Sequence, residues 1–368
     1  MTPRERAAAV FEGKEPDQVP LLLDLSHWYK KNNNISFDLT GLKSVDTGLV
    51  DLHKEIGAVS YVEMGSFYDR IATDSEISSE AFTKDGVFTT RIITPQGSIH
   101  EERVFNPASY SYAIRKHLLD TVDDFRIVRL YMDSLDCVPH WERYTAWEEA
   151  LGELFFAYCS LPYSGLGYLI SRNYGVENTI YSIFDHPEEV NLLVDSVNRS
   201  NLRLLDKIID GPFSVLIISD NFDSTVQTKE LFDTYSRGYY TEVARRLHDK
   251  GKYLAIHVDG EMRGALAMMK ECGVDCIDAA TPAPMFLLSP AEARAEAGND
   301  MILSGGIPAT VFGSHGSETE FVNSVVRWLE TRKTSSRLFL AAGDQVPPDA
   351  SIERIRMLSE LVNRHGKY

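Results

Sequence analysis

Short apolar runs alternate with amphipathic stretches along most of this chain. "VPLLLDL", "LFFAYCSL", "FSVLIISD", "YLAIHV", "VDCIDAA", "MILSGGI" and "LFLAA" each read as a buried strand. Between them, "PEEVNLLVDSVNRSNLRLLDKII" sets apolar residues at Val190, Leu193, Val194 and Val197, the spacing of one helical face. "KELFDTYSRGYYTEVARRLHDKG" is a second such helix, stopped by Gly251. The opening "TPRERAAAVFEG" predicts a short helix with Thr2 as its cap, Pro3 in its first turn and Gly13 as its stop. "LVDLHKEIGAVSYVEM" reads as helix, glycine, strand. From about residue 84 the period changes to two: "GVFTTRIITPQGSIHEERVF" predicts an antiparallel hairpin turning at Pro95-Gln96-Gly97, an insertion on a larger scaffold.

Strands that alternate with helices build parallel sheets with helices outside. Counted from "VPLLLD", about eight strands recur, and a closed (β/α)8 TIM-type barrel is the natural solution. A doubly wound open sheet is the alternative, but no G-x-G-x-x-G follows a strand. The expected fold is therefore a single barrel domain over residues 1–368 with a small N-terminal helical and hairpin embellishment. Chemistry is expected at the carboxyl ends of the strands.

Net charge narrows the partners. A formal charge of −17 argues against nucleic acid and against an anionic membrane surface. No apolar run approaches the roughly 20 residues that span a bilayer. The first residues, "MTPRERAAAVFEGKEPDQ", are charged and lack the apolar core of a secretory signal. A cytoplasmic protein with reduced thiols at Cys137, Cys159, Cys272 and Cys276 is expected. Cys272 and Cys276 read as packing residues, since no second pair completes a metal site.

Polar residues collect where the strands end: Asp24 and His27; Glu63; Tyr163; Asp220 and Asn221; His257 and Asp259; Asp278; Gly305 and Gly306; Asp344. His257 and Asp259 stand two apart, so on a strand they share a face. With Asp344 they offer a divalent cation one imidazole and two carboxylates. The simpler alternative is that Asp259-Gly260 makes a turn and His257 is a core histidine; the His-x-Asp spacing alone favours this alternative. Asp220 ends an apolar strand where a charge is costly, which marks it as a catalytic candidate.

Several segments together resemble the uroporphyrinogen decarboxylase superfamily, particularly its cobalamin-dependent methyltransferase branch. They are the opening "MTPRERAAAVFEGKEPDQVPLL", then "SDNFDS", "YYTEVARRLHDKGKYLAIHVDG", "LSGGIP" and "FLAAGDQVPPDASIERIRML". The resemblance implies a (β/α)8 barrel. In the methyltransferases it also implies zinc held by one His and two Cys, and a methyl group carried on a separate corrinoid (cobalamin) protein. It implies a homodimer by analogy. Carried over by position, the metal ligands are His257, Asp259 and Asp344, with Asp at both thiolate positions.

Two carboxylates keep the charge of two thiolates but donate less electron density, so the ion is a stronger Lewis acid, suited to an ether oxygen. The expected function is metal-dependent O-demethylation of a small methylated compound, a methoxylated aromatic as the sharpest candidate. The methyl group passes to the corrinoid protein. Zinc is the first choice of metal; iron, manganese and magnesium stay open. Asp220 and His27 are the expected catalytic residues, and Asn221, Glu63, Tyr163 and Gly305 the expected substrate contacts. The alternative is a decarboxylase or lyase that acts on a small carboxylic acid without metal. Tetrapyrrole decarboxylation itself is disfavoured. The family's decarboxylase meets its polycarboxylate with an Arg-rich segment, and the corresponding "DLSHWYKKNNN" holds no arginine.

Overall fold

The computed structural model describes residues 1–36, 43–60 and 67–368. Eight parallel strands form its centre: β1 (Leu22–Leu23), β2 (Val59–Ser60), β3 (Tyr158–Leu161), β4 (Val215–Phe222), β5 (Tyr253–Val258), β6 (Cys276–Ala280), β7 (Ile302–Ile307) and β8 (Leu338–Ala342). Strands β3 to β8 make one continuous sheet, and β1 pairs with β2. Two parallel bridges, Leu21 to Leu340 and Ser60 to Phe155, join that pair to both edges of the larger sheet. Among the described residues the strands thus follow one another around a ring, with Phe155 just ahead of β3. The barrel expectation holds.

Alternation along the strands separates two cores. Leu22, Val59, Tyr158, Val215, Ile217, Ala255, Cys276, Ile302 and Phe339 point into the barrel and pack as one cluster. Ala7, Val10 and Phe11 of the helix Pro3–Phe11 join that cluster and plug the amino-terminal end. The plug is well set. Thr2 and Glu5 form a capping box, and Arg337 donates to the carbonyls of Val10 and Phe11. Gly13 follows in the left-handed region, with φ 74°. The opposite strand faces, with Leu216, Ile218, Leu254, Ile256, Ile277, Leu303 and Leu340, pack in the core shared with the surrounding helices. The helix Pro187–Ile208 buries Val190, Leu193, Val194 and Val197 as its spacing predicts.

An insert separates β2 from β3. Its strands Ser78–Lys84, Val87–Thr94, Gly97–Asn106 and Ser111–Lys116 form an antiparallel sheet. The predicted hairpin is its centre, with Thr94 opposite Gly97 at the turn. The two outer strands add to the expected pair. Ser78–Lys84 is exposed at every residue and so carries no alternation to read. Ile92 and Ile99 of the central pair pack against Phe125, Ile127 and Val128 of the helix Phe125–Ser134. A further antiparallel pair, Tyr68–Ala72 with Leu135–Pro139, ties the insert to the barrel side. All four cysteines are free and buried, Cys272 and Cys276 in keeping with their reading as packing residues. Among the described residues no helix is long and apolar enough to cross a membrane.

Candidate active site at the carboxyl end of the barrel

Above the apolar plug the inward-facing positions turn polar. His257 shares the parity of Ala255, Asp278 that of Cys276, and Ser304 that of Ile302, so all three face the interior. Strand register places them side by side: His257 opposite Asp278, and Asp278 opposite Ser304. His257 Nδ1 lies 2.8 Å from the backbone carbonyl oxygen of Asp278. A carbonyl only accepts, so this bond puts the proton on Nδ1 and leaves Nε2 with its lone pair.

Asp278 is 2% exposed, and its Oδ2 has no hydrogen-bond partner. Burial pushes its carboxyl up to about 6; His257 and Ser304 oppose the shift, while Asp344 and Asp24 add to it. Asp259 keeps exposed surface at the rim, yet surrounding protein raises its carboxyl too, followed by repulsion from Asp344; His257 opposes, and Asp223 adds repulsion. His27 is lowered by burial against the attraction of Asp24 and Asp344, with Lys30 adding to the lowering. The charge of Asp344 thus acts on groups from three strands. It stands in the same mouth as His257, which acts on two of them. Among the described residues, however, no three His, Cys, Asp or Glu side chains are gathered closely enough to hold a metal ion. The donor types suit a divalent cation; their present spacing leaves the shell open.

The loops of the mouth are tied to one another. Val346 N donates to the carbonyl of Asp24 over 2.9 Å, and Ser224 N to that of Glu261 over 2.8 Å. The carboxylate of Glu261 accepts from the backbone N–H groups of Met262, Arg263 and Leu287, which pins the loop after β6 beside the loop after β5. Gly260 is needed for close approach: a Cβ there would stand 2.4 Å from Asp223, and its φ is not left-handed.

The other expected residues divide. Asn221 lies at the rim in the left-handed region, φ 46°, where β4 slips register between Ile218 and Phe222. Tyr163 is half-buried in the loop after β3. Asp220, an expected catalytic residue, is directed toward the loop after β3 and the helix Arg237–His248, and the charge of His257 also acts on it. It is 0% exposed. Oδ1 accepts from Ser164 N at 2.5 Å, and Oδ2 from the Tyr240 hydroxyl at 2.5 Å. Burial raises its carboxyl against those bonds. Its geometry is that of an anchor for the β3 loop. Gly305 is likewise explained by packing, since a Cβ would meet the Ala280 carbonyl oxygen at 2.7 Å. Glu63 lies outside the described residues. The buried acid of the mouth, Asp278, stood among the strand-end acids of the sequence with no role assigned. Its signal was an acid inside the apolar run "VDCIDAA".

A closed parallel barrel with a polar layer above a dry plug is the architecture of a β/α-barrel enzyme family. The chain belongs to the uroporphyrinogen decarboxylase (URO-D) family, whose sequence profile matches residues 143–365. A methyltransferase from Methanosarcina mazei superimposes with a TM-score of 0.63 at 11% identity, covering 99% of both chains. That likeness concerns the fold. Dispersin B superimposes only at a TM-score of 0.33, with 12% identity over 95% of this chain and 99% of that one. No curated protein sequence matches the chain.

Proposed function

We propose that this protein is a methyltransferase. It takes a methyl group from a small methylated compound, a methoxylated aromatic above all, and passes it to a corrinoid protein docked at the carboxyl face. Family membership and the methyltransferase fold neighbour support the class. The observation that carries the site is the 2.8 Å bond from His257 Nδ1 to the Asp278 carbonyl, which presents Nε2 in a mouth shared with Asp259 and Asp344.

His257, Asp259 and Asp344 would hold a divalent ion, zinc first. When bound, the ion supplies Lewis acidity to an ether oxygen. The protein's own groups do the rest. Asp278 fixes the imidazole in one tautomer and orientation. Burial lowers the proton affinity of His27, so it would first take up a proton from solvent and then donate it to the departing oxygen. Asn221 and Tyr163 line the approach. Purified protein loaded with zinc should methylate cob(I)alamin from a methoxybenzene under reducing conditions, and His257→Ala should abolish the transfer. Binding of the methylated compound with no methylcobalamin formed contradicts the reading.

A second reading is a metal-free decarboxylase or lyase of the URO-D type on a small carboxylic acid. The ungathered donors and the lateral row His257–Asp278–Ser304 favour it. Decarboxylation with undiminished rate after chelation would select it.

A further inference from the structure

Between the insert and the barrel lies a cavity of about 270 Å³, lined in part by Arg70, Tyr131, Tyr163, Tyr168, Arg172 and Asn201. Its place follows from the chain. Pro162 and Tyr163 come directly after β3, so the cavity reaches the carboxyl end of the barrel at that strand. Arg70 comes from the strand Tyr68–Ala72, and the insert adds Ser79, Thr90, Ile92 and Glu101.

The cavity is cationic in a chain of net charge −17. Glu101 is its carboxylate, buried at 3% exposure. Arg103 takes one of its oxygens at 3.0 Å; Arg172 reaches the other only at 3.5 Å and keeps 40% of its side chain exposed. Arg70 Nη2 donates to the Ser200 hydroxyl at 3.1 Å and approaches Met132 Sδ at 3.6 Å, neither of them a charge. Two arginines and one acid line the cavity, and that acid is already paired with Arg103 behind the wall, so Arg70 and Arg172 leave positive charge in a partly desolvated space, where a second carboxylate is favoured. Three tyrosines beside Ile92, Leu118 and Val197 give it flat, largely apolar walls. Size sets a limit as well: a cavity of about 150 Å³ accepts benzene. This one fits a single substituted ring and is far too small for a tetrapyrrole. Tyr163 stands between both regions: burial raises its phenol, Arg172 and Arg103 oppose that, and Asp220 and Asp259 add to it.

We propose that this cavity is the recognition pocket for a monocyclic aromatic carboxylate: Arg172 and Arg70 bind the carboxylate, and the tyrosines pack on the ring. The proposal rests on the reading that the substrate is a small methylated aromatic. It narrows that substrate to the methoxybenzoate class.

Benzoate tests the pocket without turnover, because it has no methyl group to transfer. Calorimetric titration of the full chain should show benzoate binding at least 10-fold tighter than benzyl alcohol, its neutral counterpart. Arg172→Gln should weaken benzoate by about 10- to 100-fold and leave benzyl alcohol unchanged, as loss of a charge-assisted bond predicts. Arg70→Gln is the second variant should the first unfold. No benzoate binding, equal binding of the two compounds, or an arginine variant that binds benzoate undiminished overturns the proposal. The two readings fail separately. Benzoate affinity with no methyl transfer from any methoxybenzoate sinks the methyltransferase. Transfer from neutral methoxyarenes with no benzoate affinity sinks the pocket.

Discussion

The two ends of the barrel are built from the same strands and differ in almost everything else. At the amino-terminal end, Phe11, Tyr158 and Phe339 pack with ring centroids 5.8 to 6.1 Å from Phe11, and a capped helix closes the opening. At the carboxyl end, two residues further along β5, β6 and β7, the inward positions are His257, Asp278 and Ser304. At the closed end the inward positions, Leu22, Val59, Val215, Ile217, Ile302 and Phe339 among them, are apolar. The open end keeps a buried carboxylate oxygen without a partner and lets acidic side chains repel one another. The lower layer is apolar and well packed and the upper layer holds the mutually repelling acids, an arrangement that would let stability and chemistry occupy different ends.

Substitutions at the two ends should separate these roles. The largest effect belongs to the closed end. Phe339 is 0% exposed, and Phe339→Ala should lower unfolding free energy by about 3–5 kcal/mol in denaturant titration. A loss under about 1 kcal/mol would mean that the plug does not carry the fold.

A smaller effect of opposite sign belongs to the open end. Asp278 has a folded pKa raised above its ordinary value, to about 6. The folded state therefore holds this proton more tightly than the unfolded chain. Stability is highest below the unfolded pKa, near 4, and is lost as pH rises through the folded one. In metal-free protein this term amounts to up to about 3 kcal/mol between pH 4 and 7. Asp278→Asn should remove that loss, so the variant is at least as stable as the parent at pH 7 and has a flatter pH profile. A variant less stable at pH 7, with the slope unchanged, would place the buried charge elsewhere.

Much of this division was legible in the sequence. Apolar runs such as "FSVLIISD" and "YLAIHV" mark the strands, because a parallel strand buried on both faces needs no alternation. The capped first helix was legible for the same local reasons. The partners of Asp220 were not legible: β4 slips register between Ile218 and Phe222, so counting by twos does not carry to it. The row His257–Asp278–Ser304 was not legible, since lateral register depends on how separate strands pair. Nor were the outer strands of the insert. Ser78–Lys84 is exposed on both faces, so no period distinguishes it from a loop. The cavity beside Tyr163 joins residues from Arg70 to Asn201, a convergence that only the folded insert creates.

The central claim is that His257, Asp259 and Asp344 bind one divalent cation at the open end. Equilibrium dialysis of metal-free protein against zinc tests it directly, with Asp220→Asn as the control at a nearby acid bonded to Ser164 and Tyr240. The account predicts one zinc per chain in the parent, loss of that site in His257→Ala and in Asp344→Ala, and retention in folded Asp220→Asn. A parent that binds no zinc, or a His257→Ala variant that binds as much as the parent, would contradict it.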